Sequence, residues 1–330
     1  MRFLVGRRLL QLVPTFLGVT LLTFFLLRLA PGAPSLVGDD GIVTPAVQAS
    51  LEAWRELKGL NQPLWAQYIN WLSRFVRFDF GSSLIDERPV RTLIVEALPR
   101  TLVLTVLALI FTYTLSIPLG IHSAIHRGQR SDRIISGVLF ILYSMPSFWV
   151  ALLLVVVLGG GAWFDLFPIV GLRSSNMEGA GFFVRSIDLI WHLVLPVFCL
   201  TYPSLARTSR FQRSAMLDVI RQDYIRTARA KGLTERTVIL RHALKNSLLP
   251  ILTLLSTDLP WILGGSVIVE RIFAIRGMGM LTFEAILRRD YPVIMGVTSL
   301  VAILTMVGVL LGDLAYAWID PRIRFERTQG

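Results

Sequence analysis

Apolar residues in this chain gather into long unbroken blocks, and most of the charge falls between them. Six blocks stand out: 9–29, 101–121, 134–158, 187–205, 248–269 and 293–319. Each approaches or exceeds the roughly 20 residues with which an α-helix crosses the hydrocarbon core of a bilayer. The pattern predicts an all-α integral membrane protein with six transmembrane helices and both ends on one side. Pro14, Pro118, Pro146, Pro196 and Pro260 fall inside the blocks. Spanning helices tolerate proline where a neighbouring helix or a water-filled cavity satisfies the freed carbonyl. The basic start, the first block and the small residues Ala30 to Ala33 look like a signal peptide, but the block is long enough to be a retained helix.

Composition sharpens this picture. With 54% hydrophobic and 17% charged residues over 330, and a mean hydropathy of +0.62, the chain has more apolar surface than one water-soluble core hides. That excludes an ordinary soluble enzyme. The net charge of +11 raises nucleic acid as a partner, and the placement of the charge decides against it. Arg2, Arg7 and Arg8, then Arg127, Arg130 and Arg133, then the stretch from Arg207 to Lys245, then Arg322, Arg324 and Arg327 fall on one face after six crossings. Basic loops mark the cytoplasmic side, so both termini are expected in the cytoplasm, with the chain in a membrane and in contact with lipid. Cys199 is the only cysteine and can form no disulfide within the chain.

The first two blocks enclose a segment with helix signals of its own. Thr44 can cap a helix begun by Pro45 and ended near Gly59; a second run, 64–78, places Trp65, Ile69, Leu72, Phe75 and Val76 on one face. The predicted organisation is a tail and first span over 1–29, an external helical insertion over 30–99 and a core domain over 100–330. The insertion is either a docking surface for an extracytoplasmic partner or a cap that shields the bundle.

Between the fourth and fifth blocks lies a charged loop, 207–250, far longer than a usual helix connection. Residues 218–232 read as a helix with acids early and bases late, which complements the helix dipole, and Gly232 closes it. Leu217, Ile220, Tyr224 and Ala228 give it an apolar side, leaving Arg221, Arg226 and Arg229 to face water or a partner. Thr234 caps a second helix, 235–246, which enters the fifth block. Such a basic hairpin can be gripped by another protein or can lie on anionic lipid headgroups.

The run from Asp223 to Pro250 resembles the coupling loop of ATP-binding-cassette permeases, in the form used by dipeptide, oligopeptide and nickel importers. Gly232 and Ala228 match the Glu-Ala-Ala-x-x-x-Gly pattern, whereas Arg226 and Thr227 stand where the wider family has Glu and Ala. Those departures are typical of the peptide-type subgroup. Arg7-Arg8, Ala30-Pro31-Gly32, Gly59-Leu60-Asn61-Gln62-Pro63, Phe78-Asp79-Phe80-Gly81, Val269-Glu270-Arg271 and Asp320-Pro321-Arg322 are similar to the same subgroup's first permease subunit. Arg276 departs from it, since relatives usually have proline before the Gly277-Met278-Gly279 pair.

The resemblance implies a type I importer permease fold, with a second permease subunit as heterodimer partner, two cytoplasmic ATPases and an extracytoplasmic substrate-binding protein. It implies peptides as cargo, with nickel or its chelates, opines or sugars as alternatives. It also implies that Asp223, Tyr224, Arg226, Thr227, Ala228, Arg229, Lys231, Gly232 and Leu233 form the surface that meets an ATPase.

The chain has no Gly-x-x-x-x-Gly-Lys-[Ser/Thr] phosphate loop, so ATP and magnesium are expected on partner subunits and no cofactor on this one. A membrane hydrolase lacks its nucleophile or zinc signature here, and a stand-alone secondary transporter lacks its inverted repeats. His122 and His126 have metal-compatible spacing but no further ligands nearby, and no metal site is expected. Asp258, beside Pro260 in the fifth block, is a translocation-pathway candidate because an isolated carboxylate in lipid is costly. Satisfaction by a neighbouring helix or by the second subunit is the equal alternative. Asp313 in the sixth block is the same kind of candidate.

Overall fold

The computed structural model describes residues 2–29, 61–159, 163–177, 179–258 and 261–319. The helix expected from Thr44 to Gly59 lies outside them. The described chain is helical, with one isolated β-bridge between Ser82 and Pro89. In order, the helices are α1 (Arg2–Leu29), α2 (Leu64–Phe75), α3 (Val90–Ile125), α4 (Arg130–Ser144), α5 (Ser147–Leu154, continued by a π turn to Gly159), α6 (Phe182–Ile220), α7 (Asp223–Ala230), α8 (Glu235–Asp258), α9 (Trp261–Gly264), α10 (Val267–Ile272), α11 (Met278–Arg288) and α12 (Tyr291–Ile319). Five of these are long and apolar enough to cross a membrane, and the bent pair α4–α5, counted as one span, brings the number to six.

The span boundaries differ from the sequence pattern in three places. α3 begins at Val90, not at the first apolar residue near Thr101, because Val90, Leu93, Ile94 and Ala97 have a core of their own to enter. The third crossing breaks between Ser144 and Ser147 with a 95° bend. Pro146 causes it: the residue before a proline is driven out of the helical region, and Met145 is extended at φ −86°, ψ 126°. The Tyr202 hydroxyl donates to the freed Met145 carbonyl at 2.9 Å. The fifth crossing starts earlier than Leu248, with α8 beginning at Glu235. On the far side of residues 259–260, which lie outside the described residues, come the short α9 and α10, with Gly265 at φ +66° between them. Ser266 caps α10 by accepting from the Val269 N–H.

By contact the chain divides into two compact units, Met1–Pro99 with Gly277–Met306, and Arg100–Arg276 with Val307–Gly330. In the first, α2 packs through Tyr68, Leu64, Trp71 and Leu72 against Phe24 and Met295. The expected face is therefore corrected: Trp65, Ile69 and Val76 point outward, and the packed face lies about one residue further round the helix. The buried Asp290 carboxylate accepts from the Ser83 hydroxyl and, at 3.1 Å, from the Leu84 N–H, tying the start of α12 to the turn before α3.

In the second unit α6 is the central helix, packed on α4, α5, α8 and α10. It also lies hard against α3 at Gly120, where a Cβ would stand 2.6 Å from the Gln212 Cβ and 2.7 Å from the Ser209 carbonyl oxygen. Gly137 on α4 has open space around it. The two glycines predict opposite signs. Gly137→Ala is expected to stabilise through helix propensity by up to about 1 kcal/mol. Gly120→Ala is expected to destabilise by roughly 1–3 kcal/mol through overpacking. Thermal unfolding of the purified variants in detergent checks both.

Candidate functional site

The expected helix over 218–232 is two elements. α6 runs on through Asp218 to Ile220, the chain turns at Arg221 and the extended Gln222 (ψ 149°), and α7 starts at Asp223. The turn changes the helical register, so Tyr224 is not on the packed side; Ile225 and Ala228 are buried instead. They sit in a cluster with Ala124 of α3, Met216 of α6, and Val238, Ile239 and Ala243 of α8. Two small apolar contacts thus fasten a short polar helix to three long ones.

Everything else on α7 faces outward. Asp223, Tyr224, Arg226, Thr227, Arg229, Lys231, Gly232 and Leu233 are exposed, and only Ala228 of the expected surface is buried. Gly232 adopts φ +74°, the left-handed conformation that favours glycine, and its N–H donates to the Arg229 carbonyl at 2.9 Å. Arg229 donates to both oxygens of Glu235 at 2.7 and 3.1 Å, bridging α7 to the start of α8 across the glycine. That bond holds the Arg229 guanidinium above its usual pKa. Asn246 donates to the Tyr224 hydroxyl at 2.7 Å, a second strut to α8.

A second cluster lies within the spans. Arg207 of α6 reaches both carboxylate oxygens of Asp258 at the end of α8, at 2.7 and 2.9 Å, and the Tyr113 hydroxyl of α3 donates to the same carboxylate at 2.8 Å. Tyr113 lies about 18 Å along α3 from Ile125, and Arg207 about 20 Å along α6 from Ile220, at 1.5 Å per residue. Asp258 is 13% exposed and satisfied by two helices; Arg207 remains 37% exposed, and its Nε has no partner among the described residues. A partly exposed guanidinium needs water or another protein surface beside it, since lipid tails offer it nothing. Pro260 lies outside the described residues. Asp313 falls on α12, and its side chain is likewise outside them.

The sequence pattern missed Arg207 and Tyr113 as partners of Asp258. A carboxylate inside an apolar block was a signal to look for a cation on another block, and Arg207 is the basic residue nearest the end of the fourth. It also missed the pair that fastens the α3–α4 turn to α6. Arg213 meets Asp132 with two bonds of 2.9 Å, and that carboxylate accepts from the Gly128 N–H at 2.9 Å. His122 and His126 stack at 4.2 Å, with His126 turned back to the His122 carbonyl. Arg276 gives its carbonyl to Arg100 at 2.9 Å, after a turn in which Ala274 takes φ +51°.

Comparison with known proteins bears on the whole chain. The family described as binding-protein-dependent transport system inner membrane component matches residues 116–325, and its N-terminal companion matches 1–105. The chain is 41% identical to the oligopeptide transport system permease protein AppB of Bacillus subtilis (strain 168) over 321 residues, 97% of this chain and 98% of that one. It is 38% identical to the dipeptide transport system permease protein DppB of Escherichia coli (strain K12), over 97% of this chain and 98% of that one. The peptidoglycan transport system permease protein YejB of Agrobacterium fabrum is 33% identical at the same coverage. In fold it is similar to a chain of the inward-facing MetNI methionine ABC transporter, with a TM-score of 0.52 and 19% identity over 70% of this chain and 97% of that one. A buried-footed polar helix on a bundle of apolar spans, together with these matches, places the chain in the family of binding-protein-dependent transport system inner membrane components.

Proposed function

We propose that this chain is one of two different permease subunits of an ATP-driven peptide importer in the bacterial inner membrane. Two cytoplasmic ATPases hold ATP and magnesium, this chain carries no cofactor, and an extracytoplasmic binding protein delivers the cargo. The peptide assignment follows the named roles of its oligopeptide and dipeptide permease relatives. Basic loops orient both termini to the cytoplasm, with the 30–99 insertion outside and 100–330 forming the core permease domain.

The observation that carries this reading is the construction of α7. Its outward residues are polar and exposed, while Ile225 and Ala228 bear on α3, α6 and α8 together. A groove on an ATPase subunit that takes α7 moves all three helices when nucleotide binding closes the ATPases, and the bundle shifts between inward-open and outward-open states. The Arg207–Asp258–Tyr113 cluster ties the same three helices through their side chains and lines the route the cargo takes.

Uptake by the assembled complex is expected to be vanadate-sensitive and to stop on ATP depletion; uptake that ignores ATP and collapses with ionophores identifies a gradient-driven carrier. Gly232→Val forces a branched side chain into a left-handed conformation at a cost of roughly 1–2 kcal/mol. It is expected to cut peptide uptake severalfold and to loosen ATP turnover from binding-protein control, with normal membrane insertion. Normal transport at normal turnover defeats the coupling role. Asp258→Asn leaves Arg207 uncompensated and is expected to shift uptake of cationic against anionic peptides without blocking assembly, an effect that Arg207→Gln in the same chain reduces. Identical kinetics for both peptide classes in Asp258→Asn remove the cluster from the pathway.

A further inference from the structure

α1 ends with Arg28 one residue before Leu29. An arginine at the end of a spanning helix ordinarily extends along the helix to water and headgroups. This one turns inward, its guanidinium carbon 5.5 Å from the Phe24 ring centroid and 5.3 Å from that of Tyr291. It is half-buried, and among the described residues no carboxylate lies within ion-pair distance of it. A guanidinium withdrawn from water without a counter-charge is costly unless an anion completes the site.

The guanidinium lines a cavity of about 230 Å³ inside the first unit, walled by α1, α2, the 79–84 turn and the start of α12. Phe24, Leu27 and Met295 give it an apolar side. The polar side is rich in donors. Arg74 adds a second cation, and the buried Trp71 indole N–H meets no acceptor among the described residues. Among the described residues of the wall Asp79 is the one carboxylate, and it accepts the Gly81 N–H at 2.9 Å, so two guanidiniums face one acid. Surplus positive charge and an unmet donor call for an oxyanion.

The surroundings say which one. Leu22, Leu26 and Leu29 at this end of α1 are exposed, and α2 turns Trp65, Ile69 and Val76 outward. An exposed apolar and aromatic girdle at the end of a spanning helix marks the membrane interface, where phosphates of phospholipids lie. We propose that the cavity is a phospholipid headgroup site, seating a lipid phosphate against Arg28 while the acyl chains run down the exposed leucines of α1. It is independent of the α7 coupling surface, so Gly232→Val, which disables transport, is expected to leave lipid binding intact.

The test measures thermal stabilisation of the full-length protein in detergent by phosphatidylglycerol, by diacylglycerol with the same acyl chains, and by dialanine. Wild type is expected to be stabilised by phosphatidylglycerol and not by the other two. Arg28→Gln should need roughly tenfold or more phosphatidylglycerol for the same effect, the worth of a charge-assisted bond, and Arg28→Lys should fall between. Leu84→Phe, which fills the cavity from its rim with Arg28 in place, should abolish the effect and carries the test if Arg28→Gln does not fold. Equal stabilisation by diacylglycerol, an unchanged response in Arg28→Gln and Leu84→Phe, or stabilisation by dialanine alone, which marks a peptide-carboxylate site, each overturns the proposal.

Discussion

In a hydrocarbon slab every backbone N–H and C=O has to find its partner within the protein, and the rest of this structure follows from that constraint. It makes each crossing a long helix whose hydrogen bonds are internal. It also permits breaks only where something else takes the freed groups. The break at Pro146 is such a place, since Tyr202 from α6 occupies the Met145 carbonyl. In the same unit the Thr105 hydroxyl of α3 donates to the Ile262 carbonyl of α9 at 2.7 Å. The break at Pro146 is therefore held in place by a neighbouring helix, without exposing bare backbone to lipid.

Charge inside the bundle obeys a similar rule. Asp132 and Asp258 are each met by an arginine from α6 with two short bonds, and each has a further donor, Gly128 in one case and Tyr113 in the other. α6 is thus the helix through which the second unit's charges are balanced as well as its packing organised. The two pairs are built alike: the carboxylates are 5% and 13% exposed, and the arginines that meet them 31% and 37%. Leaving the cation partly exposed limits the desolvation cost of each pair.

α7 is exposed along most of its length and braced on its other sides. Two buried residues hold it from below, and Arg229–Glu235 and Tyr224–Asn246 hold it from the side, all on elements that continue directly into spans. Force applied to its outer face has no soft segment to dissipate in except the glycine turn. That turn sits at the junction with α8, the helix that carries Asp258 at its far end.

Much of this was legible in the sequence. Block length fixes helical crossing because few other structures survive in lipid. The resemblance around Gly232 reached the family because the residues that carry it are consecutive in the chain. Helix ends and faces were not legible. The register change at Arg221, the outward Trp65 and Ile69, and the start of α3 at Val90 depend on which neighbours are present to bury a residue. Hydrophobicity records that a side chain avoids water and is silent about which partner it avoids water with. The pairing of Asp258 with Arg207 and Tyr113, and the inward turn of Arg28 over Tyr291, join residues far apart in the chain. Only the tertiary structure decides such pairings, because their energy depends on distance in space, which the order of residues does not contain.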